Sequence, residues 1–188
     1  MNVINYAYLH LVLVHIPIVG LVFGILLLLA AMAKKSEEIK RVSLVVFVLI
    51  AVMTLPAYFT GEPAEDAVER LPGVAESIID EHEESSLMAL LSAELLGITA
   101  LGGLLLLPRS KTISTWFLAT QLVLSIGSGG LMANTANLGG KIRHTEIRSG
   151  LRPPPADDGR LAKTPQALER ESKEGRARKD DKEDNDDD

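Results

Sequence analysis

Residues 7–33, AYLHLVLVHIPIVGLVFGILLLLAAMA, contain no aspartate, glutamate, lysine or arginine. A helix needs about 20 predominantly apolar residues to cross a hydrocarbon core of roughly 30 Å, so this stretch is long enough to span a bilayer. Residues 86–107, SLMALLSAELLGITALGGLLLL, repeat the pattern with one acid, Glu94. Residues 42–59 and 112–133 are shorter or less oily and also read as spans. Inside lipid every backbone N–H and C=O must be satisfied within the protein, which leaves helices or a closed barrel, and runs of this length specify helices. The expected fold is all-α: a four-helix antiparallel transmembrane bundle over residues 1–150. A charged tail follows over residues 151–188.

The overall averages conceal this division. A mean hydropathy of +0.19 and a net charge of −6 blend an oily first part with a tail ending in DDKEDNDDD. Pro153-Pro154-Pro155 stops regular structure, and the residues beyond have too little apolar content for a core, so the tail reads as disordered. Thr164-Pro165 offers one start for a brief helix, to about Arg176. The first span does not read as a cleavable signal: its flank, MNVINYAY, lacks Lys and Arg, and its apolar run exceeds the usual 7–15 residues.

Charge sets an expected orientation. Lys34, Lys35, Lys40 and Arg41 lie between spans one and two, and Arg109 and Lys111 between spans three and four. The loop from Thr60 to Ser85 carries one basic residue, Arg70, against nine acidic ones. Cytoplasmic loops are enriched in Lys and Arg, so both termini and the acidic loop are expected outside. Tyr6, Tyr8 and Tyr58 then fall at outer ends of spans and Trp116 at an inner end, as interfacial aromatics do. Within the outer loop, Gly61-Glu62-Pro63 opens a short helical cap through Leu71, and Pro72-Gly73 breaks it. From Val74 the helical pattern resumes, with Val74, Ile78, His82, Ser85 and Ala89 on one face running into span three.

That topology brings all four histidines, His10, His15, His82 and His144, toward one membrane face. Neutral imidazole is a common ligand for haem iron, copper and zinc. The absence of cysteine excludes disulfides, thiolate metal sites and covalently attached c-type haem. His10 and His15 differ by five residues, about 7.5 Å of rise and roughly 140° of rotation, so they face different partners. Four imidazoles suffice for one or two bis-histidine haems; interfacial histidines that only bond to their neighbours are the plainer reading. Lys141, Arg143 and Arg148 beside His144 suit haem propionates or, equally, lipid headgroups.

Inside the membrane, Glu94 is costly if ionised, and Gln121 at comparable depth is its candidate partner in an interhelical hydrogen bond or a proton or quinone contact. Gly20 and Gly24 at GxxxG spacing, and Gly127, Gly129 and Gly130 with Ser125 and Ser128, allow close helix approach, or room for a flat macrocycle.

HLVLVHIP at residues 10–17, His82 ahead of span three and LGGKIRH at residues 138–144 together resemble an uncharacterised bacterial family of four-helix membrane proteins, a domain of unknown function. The resemblance covers about residues 5–147. Two departures are visible: the family usually has proline directly after its first histidine, where this chain has Leu11, and the outer loop here is more acidic. The histidine pattern suggests a cytochrome b-like role. The expectation is a haem b protein moving electrons near the outer face, with His10, His15, His82 and His144 as axial ligands. Its acidic loop and tail would attract a basic carrier such as a c-type cytochrome. A non-catalytic membrane subunit with structural histidines and a copper or other metal-binding protein are the alternatives. No phosphate loop, HExxH or nucleophile–base motif supports hydrolase or transferase chemistry, and the net charge disfavours nucleic acid.

Overall fold

In a computed structural model the chain is described at residues 5–69, 71, 73–106, 112–144 and 147. These form α1 (Tyr6–Lys34), α2 (Glu37–Phe59), a short α3 (Gly61–Asp66), α4 (Glu76–Leu106) and α5 (Thr115–Arg143). Among the described residues, four helices are long and apolar enough to cross a membrane, α1, the one containing α2, α4 and α5. The expected all-helical four-span bundle is the fold. The tail, Arg109, Lys111 and Arg148 lie outside the described residues.

The helices pack as a ring in the order α1, α2, α4, α5, with α5 closing more lightly on α1. Diagonal pairs are therefore α1 with α4 and α2 with α5. The end holding the acidic segment between α2 and α4 is called here the cap end, and the opposite one the basic end.

Helix boundaries follow local chemistry. The Asn5 side chain accepts from Tyr8 N and starts α1. Lys35 closes α1 in the left-handed region at φ 52°, and Ser36 accepts from Ile39 N to start α2 one residue later. Ser114 plays the same part for α5, accepting from Phe117 N. Proline interrupts the hydrogen-bond ladder at Pro17 in α1 and Pro56 in α2, yet both helices continue, as membrane helices do when neighbours cover the freed carbonyls.

At the basic end, Lys40 Nζ donates to Glu37 Oε1 at 2.6 Å and to Ile113 O at 3.2 Å, while Ile113 N donates to Glu37 Oε2 at 3.0 Å. Two side chains of α2 thus give Ile113 both partners a neighbouring strand would give it. The chain is thereby held against α2 just before α5 begins.

The sequence reading ends span four at residue 133 and the cap helix near Leu71. The structure carries α5 ten residues further, to Arg143, and ends α3 at Asp66. The longer α5 has a partner: α4 starts at Glu76, before its apolar segment, and the two overhangs pack on each other at the cap end. The shorter α3 runs into turns that bond back to Glu65 and Val68.

Glycine sets the tightest helix contact. A Cβ at Gly97 of α4 would lie 2.3 Å from Ala51 Cβ of α2 and 3.5 Å from Phe47 O, so the two backbones meet there. Among the described residues, nothing lies within 4 Å of a Cβ at Gly102, one and a half turns on. Gly97→Ala is expected to cost about 1–3 kcal/mol by forcing α2 and α4 apart. Gly102→Ala is expected to be neutral or stabilising, since alanine is the better helix former. Thermal unfolding of both variants in one detergent tests the contrast; equal melting points would contradict this packing.

Candidate functional site

The cap end gathers the polar chemistry of the bundle. His10 sits near the start of α1 and His82 in the overhang of α4, on diagonally opposite helices, and the two rings lie within electrostatic range of each other. Both are half-buried.

His10 Nδ1 is 2.9 Å from Ala57 O and 3.1 Å from Thr60 Oγ1. Ala57 belongs to the last turn of α2, whose carbonyls have no helical partner of their own. Thr60 shares the task, its hydroxyl lying 2.9 Å from Pro56 O and 3.0 Å from Ala57 O. A carbonyl only accepts, so Nδ1 of His10 carries the hydrogen, and in the neutral ring Nε2 keeps its lone pair. Gly61, the first residue of α3, lies over this ring, with its Cβ position 3.7 Å from His10 Cε1.

His82 repeats the arrangement on the other side. Its Nδ1 is 3.0 Å from Thr135 O of α5, which again fixes the Nδ1–H tautomer and leaves Nε2 unprotonated. Beside it, Asn134 Nδ2 donates to Ser85 Oγ at 2.9 Å, Ser85 and Thr135 hydroxyls are 2.7 Å apart, and Thr135 donates to Leu131 O at 3.0 Å. The proton order is thus Asn134 to Ser85 to Thr135 to Leu131. Gly139 makes room for the His82 ring, whose Cε1 lies 3.1 Å from the Cβ position there. Burial in this seam lowers the His82 pKa from its ordinary value, against the raising effects of the Thr135 bond and Glu83, so the ring is neutral at pH 7.

Of the four sequence candidates, two, His10 and His82, are half-buried at the cap end and bonded to neighbouring helices. His15 is exposed on the bundle's flank, its Nδ1 turned to Leu11 O of its own helix, and the rotation away from His10 expected from their spacing is present. His144 follows the end of α5 and is exposed, as is Arg143 in the last turn with Lys141, where cations oppose the helix dipole. Among the described residues, no three histidine, aspartate or glutamate side chains assemble into a metal cage.

The expected pairing of Glu94 with Gln121 is not formed. Gln121, fully buried, donates from Nε2 to Thr99 Oγ1 at 2.9 Å. Thr99 is five residues from Glu94, about 140° around α4, so Glu94 faces elsewhere. Glu94 Oε1 and Gln121 Oε1 are both buried without a partner, as is Ser128 Oγ.

Sequence reading placed Ser85 on the His82 face but gave no weight to Thr60, Thr135 or Asn134. It also gave none to the pairing of Glu65 with Glu83, which ties the cap to α4. Desolvation, the hydrogen bond that its protonated form donates to Glu83 and the repulsion of Glu83, Glu69 and Asp66 push the Glu65 carboxyl up to about 7. An acid whose folded pKa lies above its unfolded value loses stability as pH rises from the unfolded value through the folded one. The α3 contact is therefore expected to loosen between about pH 4.5 and 7.5. Hydrogen exchange of α3 amides, corrected for intrinsic rates, should quicken over that window in the natural protein and stay flat in Glu65→Gln; no difference between the two would contradict the shared proton.

Fold and site define a four-span helical membrane protein with a histidine-bearing polar cluster at one end. Residues 7–146 match the family described as Predicted membrane protein (DUF2231), and the chain belongs to that family. No curated protein and no solved structure matches it.

Proposed function

We propose that His10 and His82 are the paired ligands of a haem b, making the protein a membrane-embedded electron carrier that works at its cap end. One observation carries the reading. Two neutral imidazoles on diagonal helices each give Nδ1–H to a backbone carbonyl and keep Nε2 open, the orientation second-shell bonds impose on metal-ligating histidines. Bound between two imidazoles, haem iron supplies one-electron transfer. The residues around it have separate work. Ala57 O and Thr135 O hold the tautomers and raise the basicity of Nε2. Gly61 and Gly139 keep side chains away from the two rings. Lys141 and Arg143, in the last turn of α5, are the cations that would meet propionates.

One pair accounts for one haem, so His15 and His144 are not needed as ligands. The basic residues Lys34, Lys35, Lys40 and Arg41 favour a cytoplasmic basic end, which places the cap and both termini outside in a bacterial inner membrane. A quinol donor in the bilayer and a basic soluble acceptor such as a c-type cytochrome fit that placement, the acceptor drawn by Glu62, Glu65, Asp66, Glu69 and the acids of early α4. The association should weaken as salt is raised.

Protein purified in detergent after expression with haem supplementation is expected to give a Soret band and, on dithionite reduction, a sharp α band. His10→Ala and His82→Ala should each abolish or strongly shift both bands, whereas His15→Ala and His144→Ala should leave them. Colourless, metal-free protein would overturn the proposal and leave the two histidines as ties between helix pairs. Stoichiometric copper without a Soret band would move the same ligand pair to copper.

A further inference from the structure

The buried face of α5 is polar at the level where a membrane helix has most reason to be oily. Gln121, Ser125 and Ser128 follow at steps of four and three, which sets them within about 60° of one another. They are 0%, 0% and 1% exposed. Thr99 with Gln121 and Ser85 with Thr135 bond α4 to α5 at matching intervals on each helix, so the two run in even register. Gly97 against Ala51 sets α2 on α4. Counted from those contacts, Thr54 of α2, also buried, falls between the levels of Ser125 and Ser128. Glu94 shares that level but lies about 140° around α4 from Thr99, outside this seam.

Two of these side chains have a polar atom left over. Gln121 spends Nε2 on Thr99, and its Oε1 has no partner among the described residues. Ser128 Oγ has none either. Ser125 and Thr54 give their hydroxyl hydrogens to Leu122 O at 2.9 Å and Ile50 O at 2.8 Å, which leaves both oxygens able to accept. Buried polar atoms of folded proteins are bonded to protein or to ordered water, and at this burial the helices themselves shut out lipid. Water fits the mixture. It supplies hydrogens to an amide oxygen, which only accepts, and a lone pair to a hydroxyl free to donate. The spacing fits as well. By helical rise Ser125 stands about 6 Å from Gln121 and about 4.5 Å from Ser128, and one water with two bonds of about 2.8 Å spans such a gap.

We propose that the Gln121–Ser128 face of α5 binds two internal waters in the middle of the bundle. One donates to Gln121 Oε1 and to Ser125 Oγ. The other accepts from the Ser128 hydroxyl and donates to Ser125 Oγ and to Thr54 Oγ1, joining the diagonal helices α5 and α2. Each water then has two or three partners, the number that buried waters keep. Ser128 anchors the second water, and Met132, about one turn further on the same face and 5% exposed, lies next to it. The inference is independent of the haem reading, because neither His10 nor His82 is among the partners.

Hydroxyl radicals made from water by a millisecond X-ray pulse oxidise the side chains beside the water that formed them, buried or not. The full chain in detergent is irradiated and its oxidation mapped by mass spectrometry, each rate normalised to the intrinsic reactivity of the residue. Met132 is expected to be oxidised at least fivefold faster than Phe47, which is 0% exposed. Ser128→Ala should lower the Met132 rate at least threefold, and Ser128→Thr, which keeps the hydroxyl, should restore most of it. Ser43→Ala removes a comparably buried hydroxyl that is bonded to Lys40 O, and should leave the rate unchanged. Met132 labelled no faster than Phe47 would overturn the proposal, as would a Met132 rate that Ser128→Ala does not alter. Melting points in detergent confirm that each variant is folded.

Discussion

The hydrocarbon core offers no water, and that constraint orders everything else in this protein. Each backbone group in the spans must be paired inside its own helix, and each polar side chain must find a partner or lie where water or headgroups begin. Ser43, Thr54, Ser92, Thr99, Thr120 and Ser125 solve the problem locally, turning their hydroxyls onto carbonyls one turn earlier in the same helix. Imidazoles, which have a second nitrogen to satisfy even when the first is bonded this way, gather toward the ends. The concentration of histidine at the cap end is in part a consequence of this sorting. What sorting alone does not produce is two rings from diagonal helices, each held in the same tautomer by a carbonyl of the adjacent helix.

The same constraint explains what could be read from the sequence. Four spans are legible because a bilayer imposes a length and an oiliness that few other environments demand. The overhang of α5 is not, because apolarity ends near residue 133 while the helix is continued by polar contacts with α4: Asn134 and Thr135 with Ser85, and Thr135 with His82. A hydropathy reading cannot register a helix that polar bonds to its neighbour continue beyond the apolar run. Depth, too, is legible and azimuth only partly so. Glu94 and Gln121 were matched by depth, yet Gln121 bonds to Thr99, and the 140° between Thr99 and Glu94 separates them. Applied within one helix, the same arithmetic separates His10 from His15 correctly. It fails between helices because their relative rotation depends on contacts such as Gly97 against Ala51, which composition does not specify.

The two ends of the bundle are built on opposite principles. At the basic end, Glu37 and Lys40 form a salt bridge at 2.6 Å and together grip the backbone of Ile113. The lysine is nearly buried, and the carboxyl pKa falls because Lys40 and then the Ile113 N–H favour its charged form. Charge is compensated there, and the link is closed. At the cap end like charges crowd together: Glu65 meets Glu83, with Asp66 and Glu69 close by, and the contact survives by holding a proton. The basic end is thus closed by a compensated pair, whereas the cap end carries a contact that depends on a proton.

The histidine bonds admit a purely mechanical account, in which His10 ties α1 to α2 and His82 ties α4 to α5. Mechanics, however, leaves Nε2 without a purpose. A tie between helices is made as well by asparagine or glutamine, which lack a second basic nitrogen. Imidazole differs from those amides in having that nitrogen available while the first is engaged, and it does so here twice, at one end, within electrostatic range. His15 supplies the internal comparison: its Nδ1 also meets a carbonyl, but one of its own helix, and its ring turns outward. The contrast between an intrahelical bond on an exposed ring and interhelical bonds on two half-buried rings distinguishes a residue that is merely accommodated from a pair that is positioned.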